Sequence, residues 1–350
     1  MKTNQQHIVF LTPGFPESET DSTTIPALQV FLKSLRKALP NSTLTVIAFQ
    51  FPFTTKTYIW NSIDVIPLNG QNKALKKLFV WRKAIKSLKK LNKKQAIDVI
   101  HSFWIGECTS IGNYFSKKNT IKHVATVMGQ DARFRNHHTK RLLNSNVKLV
   151  SLSKNHYDIL LKKNQLKSKI IPWHLDKTSF PELEKSTIDI LGVGSLNKVK
   201  NYSLFITTIA ALVKTYCNLK VELIGEGDKR TDIEHLINSL ELRNNIKLIG
   251  KLQRKDVLKK MAQSHILLHT SNFESFGFVF LEALYSGMQI VSKNNGIASP
   301  SEKWKIAENS EDFINLCENL LSYNSKKTKY RTKISSEQET INAYLELYNA

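Results

Sequence analysis

HILLHTSNFESFGFVFLEALYSGMQIVS, residues 265–292, packs a strand, a loop, a helix and a second strand into one short stretch. His265–Thr270 is a nearly continuous apolar run, as in a strand buried on both faces. Val279, Phe280, Ala283 and Leu284 recur at helical spacing, Gly287 suits a helix end, and Met288–Ser292 returns to strand composition. A helix that begins around Phe276 to Phe278 leaves the amides of Phe276, Gly277 and Phe278 free at the positive end of the helix dipole, where a phosphate is favoured. Gly277 permits close approach. Glu282, about one turn further on, can accept hydrogen bonds from a ribose diol, and Glu274 faces whatever lies beyond the phosphates. Two acceptors bracketing an anion site suit a sugar nucleotide.

The same rhythm runs through the whole chain. HIVFLT, TLTVIAF, IDVIHSF, HVATVM and VKLVSL punctuate the first half; IDILGVG, LKVELIG, NIKLIG, HILLHT and MQIVS punctuate the second, with helical patterns between many of them. Apolar strands separated by helices predict an α/β protein with parallel sheets covered on both faces, each half Rossmann-like. At 350 residues the chain exceeds one ordinary core, and roughly 100–200 residues per domain gives two. IIPWHLDKTSFPELEKST has lost periodicity and is bracketed by Pro172 and Pro181. The expected division is therefore an N-terminal domain over 1–171, a linker over 172–185, a C-terminal domain over 186–330, and a final helix within 331–350 that packs back on the first domain. SYNSKKTKYRTKISSEQ, before that helix, is polar enough for a loose connector.

Composition narrows the function. No apolar run approaches the roughly 18 residues of a membrane span, and the apolar run near Met1 is too short for a signal peptide, so a soluble or surface-bound cytoplasmic protein is expected. Cys108, Cys217 and Cys317 are odd in number and scattered, which fits free thiols. The balance of 51 basic to 29 acidic residues, a net charge of +22, draws polyanions of any kind, although a lysine-favouring genome explains part of it equally well.

The ordered set Glu274-Ser-Phe-Gly-Phe-Val-Phe-Leu-Glu282, preceded by GVGSLNKVKN, LIGEGDKR and IKLIGKLQRKDVLKKMAQSHILLHTS, resembles glycosyltransferase family 4, retaining enzymes of the GT-B fold. The likeness covers residues 186–300 by motif and the first half by layout. It implies two Rossmann-like domains facing an interdomain cleft, a nucleotide-diphosphate sugar as donor, a glycan or lipid-linked hydroxyl as acceptor, and a role in cell-surface polysaccharide or glycolipid synthesis. By the same resemblance Lys200 neutralises the donor diphosphate, Glu282 holds the ribose, Glu274 touches the transferred sugar, and Leu252 sits near the base. The family commonly has arginine where this chain has Ser195, which shifts anion stabilisation toward Lys200 and the helix amides. It usually has histidine where Met128 stands, and Gln130 or Asp131 are the nearest substitutes.

In the first half Gly14 follows the first strand and is suited either to donor phosphates or to a plain turn. Asp131 is the candidate catalytic carboxylate there, with Glu274 and Lys200 from the second half. His101, Glu107 and Arg133 are candidate acceptor contacts, and a strand-end histidine is also a common structural residue. No metal and no cofactor are expected: His137 and His138 are adjacent and diverge on a helix, without a carboxylate at ligand spacing. Residues 73–94 carry ten basic residues and no acid, with Leu78, Trp81, Ile85, Leu88 and Leu91 gathered on one side. That helix is expected to pack its apolar side on the sheet and to offer reversible contact to an anionic membrane. Nucleic acid is disfavoured, since the helix has little aromatic interleaving. The alternatives are a GT-B sugar-nucleotide epimerase or phosphorylase, and a non-enzymatic polyanion-binding protein on a degenerate GT-B scaffold.

Overall fold

A computed structural model describes residues 5–132, 136–322 and 335–350. Arg133 and most of the expected polar connector before the last helix lie outside the described residues. The chain forms two compact units, Met1–His174 with Ser335–Ala350, and Leu175–Ile334.

The first unit is built on β1 (His7–Gly14), β2 (Thr43–Phe51), β3 (Tyr58–Trp60), β4 (Ile63–Pro67), β5 (Val99–Phe103), β6 (Lys122–Val127), β7 (Lys148–Ser151) and β8 (Lys169–Ile170). They form one sheet in the order β3-β4-β2-β1-β5-β6-β7-β8, parallel except for β3 against β4. Period-two alternation assigns its faces. Val9, Leu11 and Ile100 pack with Val80, Ala84 and Leu88 of α2 (Lys77–Lys94) and with Ile111 and Phe115 of α3 (Glu107–Asn119). Phe10, His101 and Phe103 point the other way, toward Phe31 of α1 (Pro26–Ala38) and Trp173. α4 (Lys154–Asn164) follows β7.

The second sheet contains β9 (Ile188–Val193), β10 (Val221–Ile224), β11 (Ile246–Gly250), β12 (Ser264–His269), β13 (Gln289–Ser292) and β14 (Trp304–Ile306). It is wholly parallel in the order β11-β10-β9-β12-β13-β14. Side chains of α5 (Tyr202–Val213), α6 (Arg230–Ser239) and α9 (Ser310–Ser322) fill one face; those of α7 (Arg254–Ala262) and α8 (Phe278–Tyr285) fill the other. The chain winds outward in one direction from β9 through β10 to β11, then returns to β12 and winds the other way. The helices that follow β9 and β12, α5 and α8, consequently lie on opposite faces of the sheet, the arrangement in which a crevice forms at the carboxyl ends of the strands. The same switch occurs between β1 and β5 in the first sheet, with Gly14 at its edge.

The last helix, α10 (Glu337–Asn349), belongs to the first unit. A capping box between Ser336 and Glu339 starts it. Its Tyr344 and Tyr348 are buried among the aromatic residues of β5 and α1. The division between the units follows His174, because Trp173 stacks on Phe31 at 5.1 Å, His174 bonds Ser34 at 2.9 Å, and the Pro172 carbonyl accepts from Thr340 at 2.9 Å. Pro172–His174 is thus a packed segment of the first unit where the sequence led us to expect linker.

Candidate functional site

The crevice between β9 and β12 holds most of the motif residues of the second unit. Asn197 turns the chain after β9 by accepting the amides of Val199 and Lys200 at 3.1 and 3.2 Å. The loop after β12 is stitched to that turn: Thr270 donates to the Lys200 and Asn201 carbonyls at 3.0 Å each, and the Asn272 amide donates to the Val199 carbonyl at 2.8 Å. These bonds bring Lys200 to Glu274, and their charged groups form an ion pair with both side chains largely buried. Glycine is required where the Lys200 side chain passes: a Cβ on Gly194, whose φ is +150°, would stand 3.0 Å from Lys200 Cε. The Tyr202 hydroxyl donates to the Gly194 carbonyl at 3.1 Å, fixing the same loop.

Beneath the pair lies His269, the last residue of β12, buried and 4.6 Å from the Phe280 ring centre. Its Nε2 is 3.1 Å from Glu274 Oε1, at an angle poor for a hydrogen bond. Burial alone would push the Glu274 carboxyl up, but His269 and the Lys200 ammonium outweigh it and bring it down to about 2. Burial lowers His269 and keeps its imidazole neutral, the Glu274 carboxylate opposing only in part.

Three residues beyond Glu274, Gly277 adopts the left-handed conformation that starts α8, with φ +80°. A Cβ there would collide with the Phe280 ring, so only glycine fits. The first amides of α8 follow directly, with Phe276 buried and Phe278 half-buried beside them. Glu282 is buried in the next turn, where the Arg254 guanidinium pairs with its carboxylate and also lies 5.7 Å from the Phe278 ring centre. The carboxylate expected to be open to a ribose is therefore already engaged. Sequence reasoning missed Arg254 and His269. Neither belongs to the motif spacing, although His269 ends a strand beside the switch point and Arg254 opens the helix that faces α8. Ser195 is exposed on the β9 loop. Leu252 is half-buried on the rim of the Phe280–Met261 core.

The candidates of the first unit have structural partners. His101 is fully buried, with Nδ1 2.7 Å from the Tyr348 hydroxyl and Nε2 2.8 Å from Thr126 Oγ1. It holds α10 against the sheet and offers nothing to an acceptor, which corrects its assignment. Asp131 accepts backbone amides from Ile105 at 2.7 Å, Gly129 at 2.5 Å and Met128 at 3.3 Å. With three amides of the chain on its carboxylate, it shapes the loop after β6. Glu107 starts α3, 3.3 Å from the Lys77 ammonium and accepting from Gln50 at 3.2 Å. Gly14 ends β1 without a left-handed backbone, and a Cβ would make only ordinary contacts of 3.7 and 3.8 Å with Ile25 and Phe51. In the basic segment the buried stripe is Val80, Ala84 and Leu88, with Trp81, Ile85 and Leu91 at its margins. Leu78 was expected there and is 67% exposed, since it lies off that stripe. No helix among the described residues is long and apolar enough to cross a membrane.

Known proteins are similar to this chain in part of its sequence and in its fold. Residues 176–331 match the family model of glycosyl transferases group 1. One subunit of the human phosphatidylinositol N-acetylglucosaminyltransferase is 34% identical over 130 residues, 36% of this chain and 27% of that protein. The 2-deoxystreptamine N-acetyl-D-glucosaminyltransferase of Niallia circulans is 28% identical over 107 residues, 31% of this chain and 28% of that protein. The chain thus spans less than a third of the length of these two relatives. Among solved structures, sucrose-phosphate synthase from Thermosynechococcus elongatus superposes with a TM-score of 0.76 at 14% identity, covering 99% of this chain and 97% of that one. Anabaena Alr3699/HepE in complex with UDP and glucose gives 0.69 at 15% identity, covering 99% and 98%. The fold is GT-B, as the family resemblance implied, with the two Rossmann-like domains that the alternation of strands and helices predicted. The second unit, with Lys200, Glu274, Gly277 and Glu282 gathered around its switch point, is thus the part of the chain that matches the glycosyl transferases group 1.

Proposed function

We propose that the protein moves a hexose-type sugar from a nucleotide-diphosphate sugar to a hydroxyl of a glycan or lipid-linked acceptor, with retention at the anomeric carbon. The observation that carries this reading is the Lys200–Glu274 ion pair, set between the glycine turn after β9 and the amide-bearing start of α8. A diphosphate arriving there takes the ammonium from Glu274 and gains the α8 amides as further donors. Glu274, released from Lys200, then accepts hydroxyls of the donor sugar, while Glu282, oriented by Arg254, accepts from the ribose.

In the reaction the bond from the anomeric carbon to the diphosphate oxygen breaks, and the acceptor oxygen bonds to that carbon on the same face. The acceptor proton passes to the departing diphosphate oxygen, and Lys200 with the helix amides lowers the cost of the charge left behind. Relatives named for N-acetylglucosaminyl transfer make an N-acetylhexosamine the first donor to try. The name of the human relative points in the same way to a phospholipid-linked acceptor, and the cationic α2 to reversible contact with the inner face of an anionic membrane.

A thermal-shift panel of uridine and guanosine diphosphate sugars tests the reading. One donor should stabilise the wild-type protein, and Glu282→Ala and Lys200→Ala should each reduce that shift. A panel without any stabilising donor would leave the polyanion-binding scaffold as the better account.

A further inference from the structure

We propose that His269 takes over from Lys200 as the cationic partner of Glu274: when a nucleotide-diphosphate sugar draws the ammonium away, the imidazole picks up a proton from solvent and donates it to the carboxylate. This rests on the donor site proposed above and adds a proton to its binding step. His269 ends β12 beneath the ion pair, with Nε2 3.1 Å from Glu274 Oε1, the oxygen that also faces the Lys200 ammonium. Packing holds the ring: Phe280 stands edge-on to it at 4.6 Å, and neither ring nitrogen is in a well-aligned hydrogen bond. A proton can therefore be added without breaking a bond. His101 differs, since both its nitrogens are already occupied.

The charges around the ring decide when the proton arrives. With Lys200 in place, burial and the nearby ammonium keep the imidazole neutral against the opposing pull of Glu274. A diphosphate reverses this: Lys200 turns to the phosphate oxygens, and further negative charge comes to the site. Glu274, largely buried, would then be a desolvated carboxylate without a cation, which a site relieves by taking up a proton. Among the described residues the other titratable groups near the pair are committed. The Tyr202 hydroxyl of α5 donates to the Gly194 carbonyl, and burial with the Glu274 charge pushes it up, away from ionisation. Lys293, after β13, donates to Asn272 at 2.7 Å, and Glu282 of α8 has Arg254 of α7. The ring is a stronger base than the carboxylate, so the proton settles on His269. Held by Nε2–H at Oε1, Glu274 keeps Oε2 for the hydroxyls of the sugar, which makes His269 a positioning residue.

Calorimetric titration of the full chain counts the proton. The probe is UDP-N-acetylglucosamine, or whichever diphosphate sugar stabilises the protein in the panel above, added near neutral pH in buffers of different ionisation enthalpy. An intact sugar nucleotide has no group of its own that titrates there, so the slope of binding enthalpy against buffer enthalpy is the protein's proton count. The expected result is uptake approaching about one proton, with a Kd that tightens about tenfold from pH 8 to pH 6. In His269→Gln, a neutral side chain of similar reach, the donor should still bind while the uptake and the pH dependence vanish. Glu274→Gln, which removes the charge that the proton answers, should lose the uptake as well. Binding by the wild type without proton uptake overturns the proposal, needs no variant, and leaves the donor site standing. So does uptake that persists in His269→Gln. A chain that binds no donor in any buffer removes the donor site itself, and the proton step with it.

Discussion

His101 and His269 are both buried histidines at or near the carboxyl ends of central parallel strands, one in each sheet. The first has each ring nitrogen in a short hydrogen bond, to Tyr348 and Thr126. The second has neither nitrogen in a well-aligned bond and lies against a carboxylate whose other partner is an ammonium. A polar group whose bonds are complete belongs to the scaffold. A buried polar group left short of partners at a switch point marks a place where the protein holds a charged arrangement in reserve for a ligand. The same contrast separates Asp131, bound by three backbone amides, from Glu274, whose charge is met by the Lys200 ammonium.

The contrast is broken most directly at Lys200. Lys200→Ala should lower the rate of sugar transfer by about 10²–10³-fold, the scale for losing one stabilising partner of a developing anion. Rates measured with donor at saturation check this, and a loss confined to KM would place Lys200 in donor binding alone. His101→Ala should do the opposite: unfolding free energy falls by about 2–4 kcal/mol, because a cavity opens and the Tyr348 hydroxyl loses a buried partner. Urea midpoints report that loss, and the donor-induced thermal shift should survive. If His101→Ala abolishes donor binding while the protein stays folded, the assignment of His101 to the scaffold fails.

The fold was readable because ten of the fourteen described strands stand out as apolar, β-branched segments. Those that escaped notice, β3, β4, β8 and β14, have two to five residues and lie at or beside sheet edges. An edge strand buries less of itself, so it needs no continuous apolar run; β4 ends at Pro67 and β8 is exposed throughout. The site was readable where backbone geometry demanded a residue type, as at Gly277, and where motif order brought Lys200 toward Glu274. Arg254 and His269 were hidden because their roles depend on α7 facing α8 and on how β12 ends, which single-sequence spacing does not encode. His101 misled for a related reason. A strand-end histidine suits an acceptor site until α10, from the far end of the chain, supplies Tyr348 as its partner.

Arg254 sharpens the comparison at lower amplitude. In Arg254→Gln the Glu282 carboxylate keeps a hydrogen-bond donor nearby but loses its cation, so its aim toward the ribose should loosen. Donor affinity should drop about tenfold, the loss of roughly one charge-assisted hydrogen bond. The useful control is the 2′-deoxy form of the same nucleotide diphosphate, which lacks one ribose hydroxyl. Wild type should prefer the ribonucleotide, and Arg254→Gln and Glu282→Ala should both erode that preference. An undiminished preference in Arg254→Gln would mean that Glu282 is aimed by the helix alone.

The smallest effect is a pH dependence, and its sign follows from the direction of the shift. Glu274 is held at about 2 in the folded protein against an ordinary 4.5, so between those values the unfolded chain binds a proton that the folded chain does not. The stability it contributes is present above pH 4.5 and is lost as the pH falls toward 2. Over the first unit of pH below 4.5 the loss from this group is about 1 kcal/mol. His269, also lowered, begins its own loss earlier, below its ordinary value of 6.5, and in the same direction. Urea midpoints taken in steps from pH 6 to 3.5 separate the two, because Glu274→Gln removes the later component and leaves Lys200 without its counter-charge at every pH. The variant should therefore start lower and fall less steeply than wild type below pH 4.5. Parallel curves would show that Glu274 is not held ionised by Lys200 and His269, and the exchangeable pair at the centre of the second unit would lose its electrostatic basis.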